Sequence, residues 1–150
     1  MNAENGGLDI LLVDDSEDDV LMARKVFSRL PFPHSLATAA CAAEALDYLR
    51  RAGKHSGRKG GLPHLLLLDI NMPGMDGFEL LRLLKADPEL KKIPVIMLTT
   101  SASREDVRRS YECGAASFIT KPETFEGFRD LMGKFAGYWL SVSALPQQGG

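Results

Sequence analysis

Three apolar runs constrain the fold of this chain more than any other feature of its sequence. They lie at residues 9–13 (DILLV), 65–68 (LLLL) and 94–98 (PVIML). All three are continuous rather than alternating, which is typical of strands that are buried on both faces of a parallel sheet. Two weaker runs, at residues 35–40 and 116–120, are predicted to be the edge strands of the same sheet.

An amphipathic segment follows each of these runs, so strand and helix alternate along the chain. Right-handed crossovers between parallel strands then predict a doubly wound α/β fold, in which a five-stranded parallel sheet of order 2-1-3-4-5 is flanked by five helices. In such sheets, binding sites form at the carboxyl ends of the strands, where the strand order reverses.

Three of the helical segments carry further signals. At the start of the first, Ser16 and Asp19 have the spacing of a capping box. The fourth has only Val107, Tyr111 and a few small residues as its apolar side, so we expect it to be the most loosely held. The last, from about residue 124 to 140, has an apolar surface broader than docking onto one sheet requires.

Length and composition exclude several classes of protein. A chain of 150 residues with 45% hydrophobic and 25% charged residues is typical of one globular domain, which we expect at 8–142 with flexible termini at 1–7 and 143–150. No apolar run approaches the ~20 residues that cross a bilayer. The first residues also lack the pattern of a signal peptide, so we expect a cytoplasmic protein that does not bind membranes. A net charge of −2 gives no basic surface of the kind that binds nucleic acid directly.

Two other features are open to ordinary explanations. Cys41 and Cys113 lie far apart and lack metal-ligand spacing, so we interpret them as reduced thiols. The Gly-rich, basic segment at residues 50–63 is either a partner-contacting loop or a solvated flexible loop, and the second is the commoner case for such segments.

Polar residues follow four of the predicted strands, and all of them fall at the same edge of the sheet. They are Asp14 with Asp15, Asp69, Thr99 and Lys121. Each one alone has a local explanation, as a helix cap, an Asx-turn, a strand end or a surface charge. Jointly they indicate a site, because the first and third strands are neighbours and bring three carboxylates together. Like charges at that distance require a compensating cation, and oxygen ligands at an open edge favour Mg²⁺.

Asp69 is the natural nucleophile of such a site, because a carboxylate can accept a phosphoryl group. Lys121 could neutralise that group and Thr99 could donate its hydroxyl. Asn71 stands where a second acid would be needed for hydrolysis, so an intermediate on Asp69 would persist. A Mg²⁺-dependent phosphohydrolase remains an alternative, although no general acid or cap domain is visible. Flavin binding is a weaker one, because an acidic edge repels a phosphate without a metal.

Four segments resemble the receiver domain of bacterial two-component response regulators: LLVDDSEDD, LLLLDINMPGMDGFELL, IPVIMLTTS and FITKP. The resemblance extends from residue 8 to about residue 140. It implies a phosphoacceptor rather than an enzyme, which receives its phosphoryl group on Asp69 from a histidine kinase. It further implies a role for each matching residue: Mg²⁺ binding by Asp14, Asp15, Asp69 and the backbone carbonyl of Asn71, and contact with the phosphoryl group by Thr99 and Lys121. A degenerate receiver that binds partners without phosphorylation is the nearest alternative.

The same resemblance implies several finer features. The aromatic switch residue of the family is here Phe118, which has no hydroxyl and must act through ring packing. The family usually has a cis peptide at the Lys-Pro step, so we expect Lys121–Pro122 to be cis. The loop before the third strand, the triplet at 99–101 and the ending YWLSVSALP are similar to the single-domain regulators of bacterial phytochrome kinases. That subfamily implies a homodimer through the fourth and fifth helices and the C-terminal segment.

Overall fold

The structure is a computed structural model that describes residues 7–31, 33–100 and 103–139, and every structural statement below concerns these residues. The strands are β1 (Leu8–Val13), β2 (His34–Ala39), β3 (Leu65–Leu68), β4 (Val95–Thr99) and β5 (Ser117–Thr120). The helices are α1 (Glu17–Ser28), α2 (Ala42–Arg50), α3 (Gly77–Ala86), α4 (Arg104–Glu112) and α5 (Phe125–Gly137). All neighbouring strands are parallel and their order is β2-β1-β3-β4-β5. The predicted fold class is therefore confirmed.

The apolar runs are continuous because the sheet has a hydrophobic core on each face. Every residue of β3 and β4 is buried. Alternate residues point to opposite faces, so Leu66 and Leu68 pack with α2 and α3, whereas Leu65 and Leu67 pack with α1 and α5. A central strand in this position carries apolar side chains at every position, which is the pattern that the sequence shows.

Side-chain caps begin four of the five described helices, all except α2, although one cap differs from the prediction. Ser16 accepts a hydrogen bond from the backbone N–H of Asp19 at 3.2 Å, as expected for a cap of α1. The reciprocal capping box is found instead at α3, where Asp76 and Glu79 each accept a bond from the other's backbone N–H. The carboxylate of Asp19 is therefore available for another contact.

Helix α4 buries little of its surface, as predicted, but the residue that it buries is not the one expected from the sequence. Tyr111 is 50% exposed, so its predicted place in the core is wrong. The buried residue of α4 is Ser110, whose hydroxyl donates to the backbone carbonyl of Asp106 at 2.7 Å. A serine can be buried there because the preceding helical turn supplies its hydrogen-bond partner. Strand β5 beside it is also only half-buried.

The broad apolar surface of α5 is used mostly within the domain. Phe128, Met132 and Phe135 are buried against the sheet, and Trp139 packs partly buried beside them. Tyr138 remains 50% exposed. Residues 140–150 lie outside the described part of the chain, and the predicted C-terminal segment at 143–150 falls among them. Of the predicted N-terminal segment at 1–7, the structure describes only Gly7.

The basic segment at residues 50–63 is tied to α2 rather than extended into solvent. Arg58 lies over the ring of Tyr48 at 4.1 Å and donates to the backbone carbonyls of Tyr48 and Gly61. Lys54 forms an ion pair with Glu44 at 2.9 Å. Among the described helices, none is long and apolar enough to cross a membrane.

Candidate functional site

Adjacent strand ends bring three carboxylates together at one edge of the sheet. Val13 of β1 pairs with Leu68 of β3, so Asp14 and Asp69 follow two neighbouring strands at the same level. The backbone N–H of Asp69 donates to the carbonyl of Val13 at 2.9 Å, which fixes this register. Carboxylate oxygens of Asp14, Asp15 and Asp69 all lie within 4.8 Å of one another. Asp14 and Asp69 are buried, whereas Asp15 is exposed.

This crowding changes the proton affinity of Asp69. Burial and the negative charge of Asp14 raise the pKa of Asp69 from 3.8 to about 6, although the charge of Lys121 and a hydrogen bond from the backbone of Asn71 act in the opposite direction. The folded chain therefore resists a full negative charge at Asp69 when no cation is bound. A cluster of hard oxygen ligands in this condition fits a divalent cation such as Mg²⁺.

Lys121 reaches this edge of the sheet from the end of β5. Its ammonium donates to Oδ2 of Asp14 and to Oδ2 of Asp19, each at 2.7 Å, and its side chain is only 6% exposed. Burial on its own lowers the pKa of Lys121, but the hydrogen bonds and charges of the two carboxylates outweigh it, so the pKa lies above its usual range. Toward Asp69, Lys121 acts at longer range, through its charge.

Asp19 is a site residue that the sequence did not reveal. The sequence pattern assigned it to a cap of α1, and nothing in the dipeptide Asp18-Asp19 distinguishes one carboxylate from the other. Its partner Lys121 lies 102 residues further along the chain. Only the fold brings the two together, because α1 and α5 cover the same face of the sheet.

Thr99 and Phe118 lie on the neighbouring strands β4 and β5, two residues apart in register. Thr99 is buried and continues the row of Val95 and Met97, so its side chain faces the α2 and α3 side of the sheet. Phe118 pairs with Met97 and packs partly buried on that same side. The two residues that the resemblance couples in a switch therefore share one face.

The loop between β3 and α3 ends in close contact with the backbone that directly follows β3. Asn71 is exposed at its start, and Gly74 takes a φ of +76°, which favours glycine. The N–H of Gly77 donates to the carbonyl of Ile70 at 2.8 Å. An added Cβ at Gly77 would overlap the carbonyl oxygen of Asp69 and lie 2.8 Å from Cα of Ile70, so only glycine permits this approach.

The Lys121–Pro122 peptide is trans, so the expectation of a cis bond is wrong for this structure. The trans form is the lower in free energy for most Xaa-Pro bonds, by about 0.5–1 kcal/mol. Here the backbone N–H of Lys121 continues the ladder by donating to the carbonyl of Thr99 at 2.6 Å. The ammonium reaches its two carboxylates without a change of peptide isomer.

The arrangement of carboxylates, threonine and lysine can be compared with known proteins. A family model described as the response regulator receiver domain matches residues 10–132. The chain belongs to this family. The probable methanogenesis regulatory protein FilR2 of Methanothrix harundinacea is 36% identical over 91% of this chain and 86% of its own length. Response regulator Rcp1 of Synechocystis sp. is 34% identical, over 91% and 92%.

Solved structures of receivers show the same fold. The phosphorylated cyanobacterial phytochrome response regulator RcpA has a TM-score of 0.85 at 33% identity and covers 94% of this chain and 99% of its own. The Mn²⁺-bound form of Rcp1 has a TM-score of 0.83 at 33% identity, with coverage of 93% and 99%. This receiver is therefore similar to single-domain regulators of phytochrome systems, as the sequence indicated.

Membership of the family indicates, in general terms, which partners and ions such a site binds. Receiver domains interact with histidine kinases and bind Mg²⁺ or Mn²⁺ at an acidic site. The acidic cluster of this receiver is formed by Asp14, Asp15 and Asp69. These residues stand at the edge of the sheet where doubly wound folds place their ligands.

Proposed function

We propose that this receiver accepts a phosphoryl group from a sensor histidine kinase on Asp69, in a reaction that requires Mg²⁺. The observation that carries the proposal is the position of Asp69: its carboxylate is buried beside Asp14 and lies within 4.8 Å of the carboxylates of Asp14 and Asp15, and burial and the charge of Asp14 raise its pKa. The proposed receiver extends over residues 8–142. Its own catalysis is limited to its phosphorylation and dephosphorylation.

The residues of the site have distinct proposed roles. Asp14, Asp15 and Asp69 would hold Mg²⁺ together with the backbone carbonyl of Asn71. The ion, when bound, neutralises the carboxylates and the oxygens of the incoming phosphoryl group. An oxygen of Asp69 attacks phosphorus, the P–N bond of the donor phosphohistidine breaks, and the imidazole departs.

Two further residues respond to the new phosphoryl group. Lys121 offers it a positive charge and Thr99 offers it a hydroxyl. A shift of Thr99 would be felt at Phe118, since the two side chains share one face of the sheet. Helix α4 and strand β5 are the elements that we expect to move, because they are lightly buried.

Small phosphodonors test the phosphoacceptor without a kinase. With Mg²⁺, acetyl phosphate is expected to add one phosphoryl mass to the wild type and to the control Asp18→Asn, which loses an exposed carboxylate from α1. Asp69→Asn is expected to remain unmodified. Modification of that variant at the wild-type level would refute the assignment of Asp69. Steady turnover of a small phosphoester would instead favour a phosphohydrolase, and a wild type that never responds would favour a receiver that is not phosphorylated.

The role of Lys121 can be tested separately from that of the proposed acceptor, Asp69. We expect Lys121→Ala to become phosphorylated while its conformational response is lost, because the phosphoryl group then lacks its cation. Tryptophan fluorescence reports that response, since Trp139 packs on the core next to α5. A full fluorescence change in phosphorylated Lys121→Ala would exclude this role.

We further propose that the cognate kinase is a bacterial phytochrome and that the receiver forms a homodimer through α4, α5 and the C-terminal segment. The first proposal rests on the similarity to RcpA and Rcp1. The second rests on the half-buried β5 and on two exposed rings, Tyr111 and Tyr138. Tyr138→Asp should shift the sedimentation coefficient toward a monomer, whereas Leu21→Asp, which changes an even more exposed residue of α1, should not. Equal shifts in both variants would exclude this interface.

A further inference from the structure

The ammonium of Lys121 is shared between two carboxylates that differ in their relation to the acidic cluster. Asp14 belongs to the cluster, and both of its oxygens already accept hydrogen bonds, from the backbone N–H of Ser16 at 2.9 Å and from Lys121 at 2.7 Å. Asp19 lies on the first turn of α1 and is not part of the cluster. It accepts from Lys121 at the same distance of 2.7 Å.

This geometry directs Lys121 toward α1 rather than toward Asp69. Two of the three N–H groups of the ammonium are taken by Asp14 and Asp19, and Asp69 receives only the longer-range effect of the charge. The side chain of Lys121 is 6% exposed and that of Asp19 is 31% exposed, so water has little access to the lysine but reaches part of the Asp19 carboxylate. One N–H remains for another acceptor, but a phosphoryl group on Asp69 can draw the ammonium close with more than that one donor only if the lysine leaves at least one of these two carboxylates.

We propose that Asp19 is a positioning residue that holds Lys121 in its resting place and that a phosphoryl group on Asp69 must take the lysine from it. The inference rests on the proposed function, because it concerns the same acceptor and the same lysine. Asp19 is the carboxylate suited to this role, since it attracts Lys121 without being a ligand of the proposed cation. It thereby opposes the active arrangement and sets how readily the receiver switches.

The charge on Asp19 determines the direction of the effect. A hydrogen bond between two charged groups is roughly twice as strong as one between neutral groups. Asp19→Asn keeps the shape and one acceptor oxygen but removes the negative charge, so it weakens the resting contact and leaves the phosphorylated arrangement unchanged. The equilibrium therefore moves toward the arrangement in which Lys121 contacts the phosphoryl group.

Beryllofluoride with Mg²⁺ provides the main test, because it mimics a phosphoryl group on a carboxylate and needs no kinase. Asp19→Asn is expected to reach half-saturation at a concentration about three- to tenfold below that of the wild type, as judged by Trp139 fluorescence. Asp18→Asn is the matched control: it removes the same charge from the same helical turn, but its carboxylate is exposed. It should bind like the wild type.

A second measurement uses the metal-free protein. The ammonium ¹⁵N–¹H signal of Lys121 should be sharp in the wild type, since two carboxylates hold the group in a buried place, and should broaden through faster hydrogen exchange in Asp19→Asn. Asp18→Asn should leave it sharp. In a Lys121→Ala background, where Trp139 fluorescence no longer reports binding, Asp19→Asn should no longer change the affinity for beryllofluoride measured by isothermal titration calorimetry. If that background does not fold, the two comparisons with Asp18→Asn decide the question.

The outcomes separate this inference from the proposed function. Beryllofluoride binding by the wild type and not by Asp69→Asn supports the acceptor. If that contrast holds but Asp19→Asn binds like Asp18→Asn or more weakly, the role given to Asp19 is wrong. If neither the wild type nor any variant binds beryllofluoride, the proposed function is overturned and the role of Asp19 with it.

Discussion

Replacement of Asp69 by asparagine should stabilise the metal-free fold near neutral pH. In the folded chain, burial and the charge of Asp14 raise the pKa of Asp69 from 3.8 to about 6. Each tenfold change in proton affinity corresponds to about 1.4 kcal/mol, so the ionised carboxylate lowers the free energy of unfolding by up to roughly 3 kcal/mol. Asparagine has nearly the same shape, stays neutral and can still accept the bond from the backbone of Asn71.

The pH dependence has a definite sign. The folded chain binds the proton of Asp69 more tightly than the unfolded chain, so this group favours folding at low pH and the benefit is lost as pH rises through about 6. The stability gap between Asp69→Asn and the wild type should therefore be near zero at about pH 4 and reach its plateau above about pH 7. Added Mg²⁺ should stabilise only the wild type and thereby narrow the gap.

Urea denaturation followed by circular dichroism in EDTA, at several pH values from 4 to 8, measures this gap. Asp15→Asn is the control, because it removes a carboxylate of the same cluster that is exposed, and its gain should be much smaller. A variant Asp69→Asn that is no more stable than the wild type at pH 7.5, or whose gap does not change with pH, would refute the reasoning. Such a result would mean that Asp69 is not under electrostatic strain.

Two paired substitutions test other parts of the structure. Gly77→Ala should lower the free energy of unfolding by about 1–3 kcal/mol, because the new methyl group overlaps the Asp69 carbonyl. Gly133→Ala, which has open space on α5, should raise the free energy of unfolding by up to ~1 kcal/mol. Urea titrations that rank the two variants the other way would contradict the packing. If the kinase docks on α1, Leu21→Asp should slow phosphotransfer from the kinase about tenfold or more, because Leu21 is 61% exposed beside the acidic cluster. Modification by acetyl phosphate should not change. Leu83→Asp on α3 is the control, and equal losses of phosphotransfer in the two variants would exclude α1 as the docking surface.

The sheet and the main cluster could be predicted from the sequence because both depend on short-range patterns. A run such as LLLL followed by Asp69 specifies a strand with two buried faces and a polar end, and parallel pairing then places the strand ends together. Ser110 illustrates the limit of such patterns. A serine is buried on α4 because Asp106 supplies a carbonyl one turn away, and the exposed Tyr111 beside it looks more hydrophobic in sequence.

The contacts of Asp19 and of the Lys-Pro step could not be predicted for a different reason. Asp19 fits a local cap as well as a distant ion pair, and only the packed positions of α1 and β5 decide between the two. The isomer of Lys121–Pro122 could not be predicted, because the general trans preference of Xaa-Pro bonds is only about 0.5–1 kcal/mol. The contact of Asp19 joins residues that are remote in the chain and close in the fold.

The close approach of Gly77 to the backbone of Asp69 has a consequence for how a signal can leave the site. The segment that bears Asp69 is fixed by the ladder bond to Val13 before it and by the bond between Gly77 and Ile70 after it. The proposed phosphoryl group on Asp69 would therefore join a segment whose backbone is held by hydrogen bonds on both sides. Displacement would then come from side chains that reach the group from elsewhere, such as Thr99 at the end of β4 and Lys121 directly after the half-buried β5. If Asp69 is the acceptor that we propose, it stays still, and the groups that recognise its phosphoryl group move.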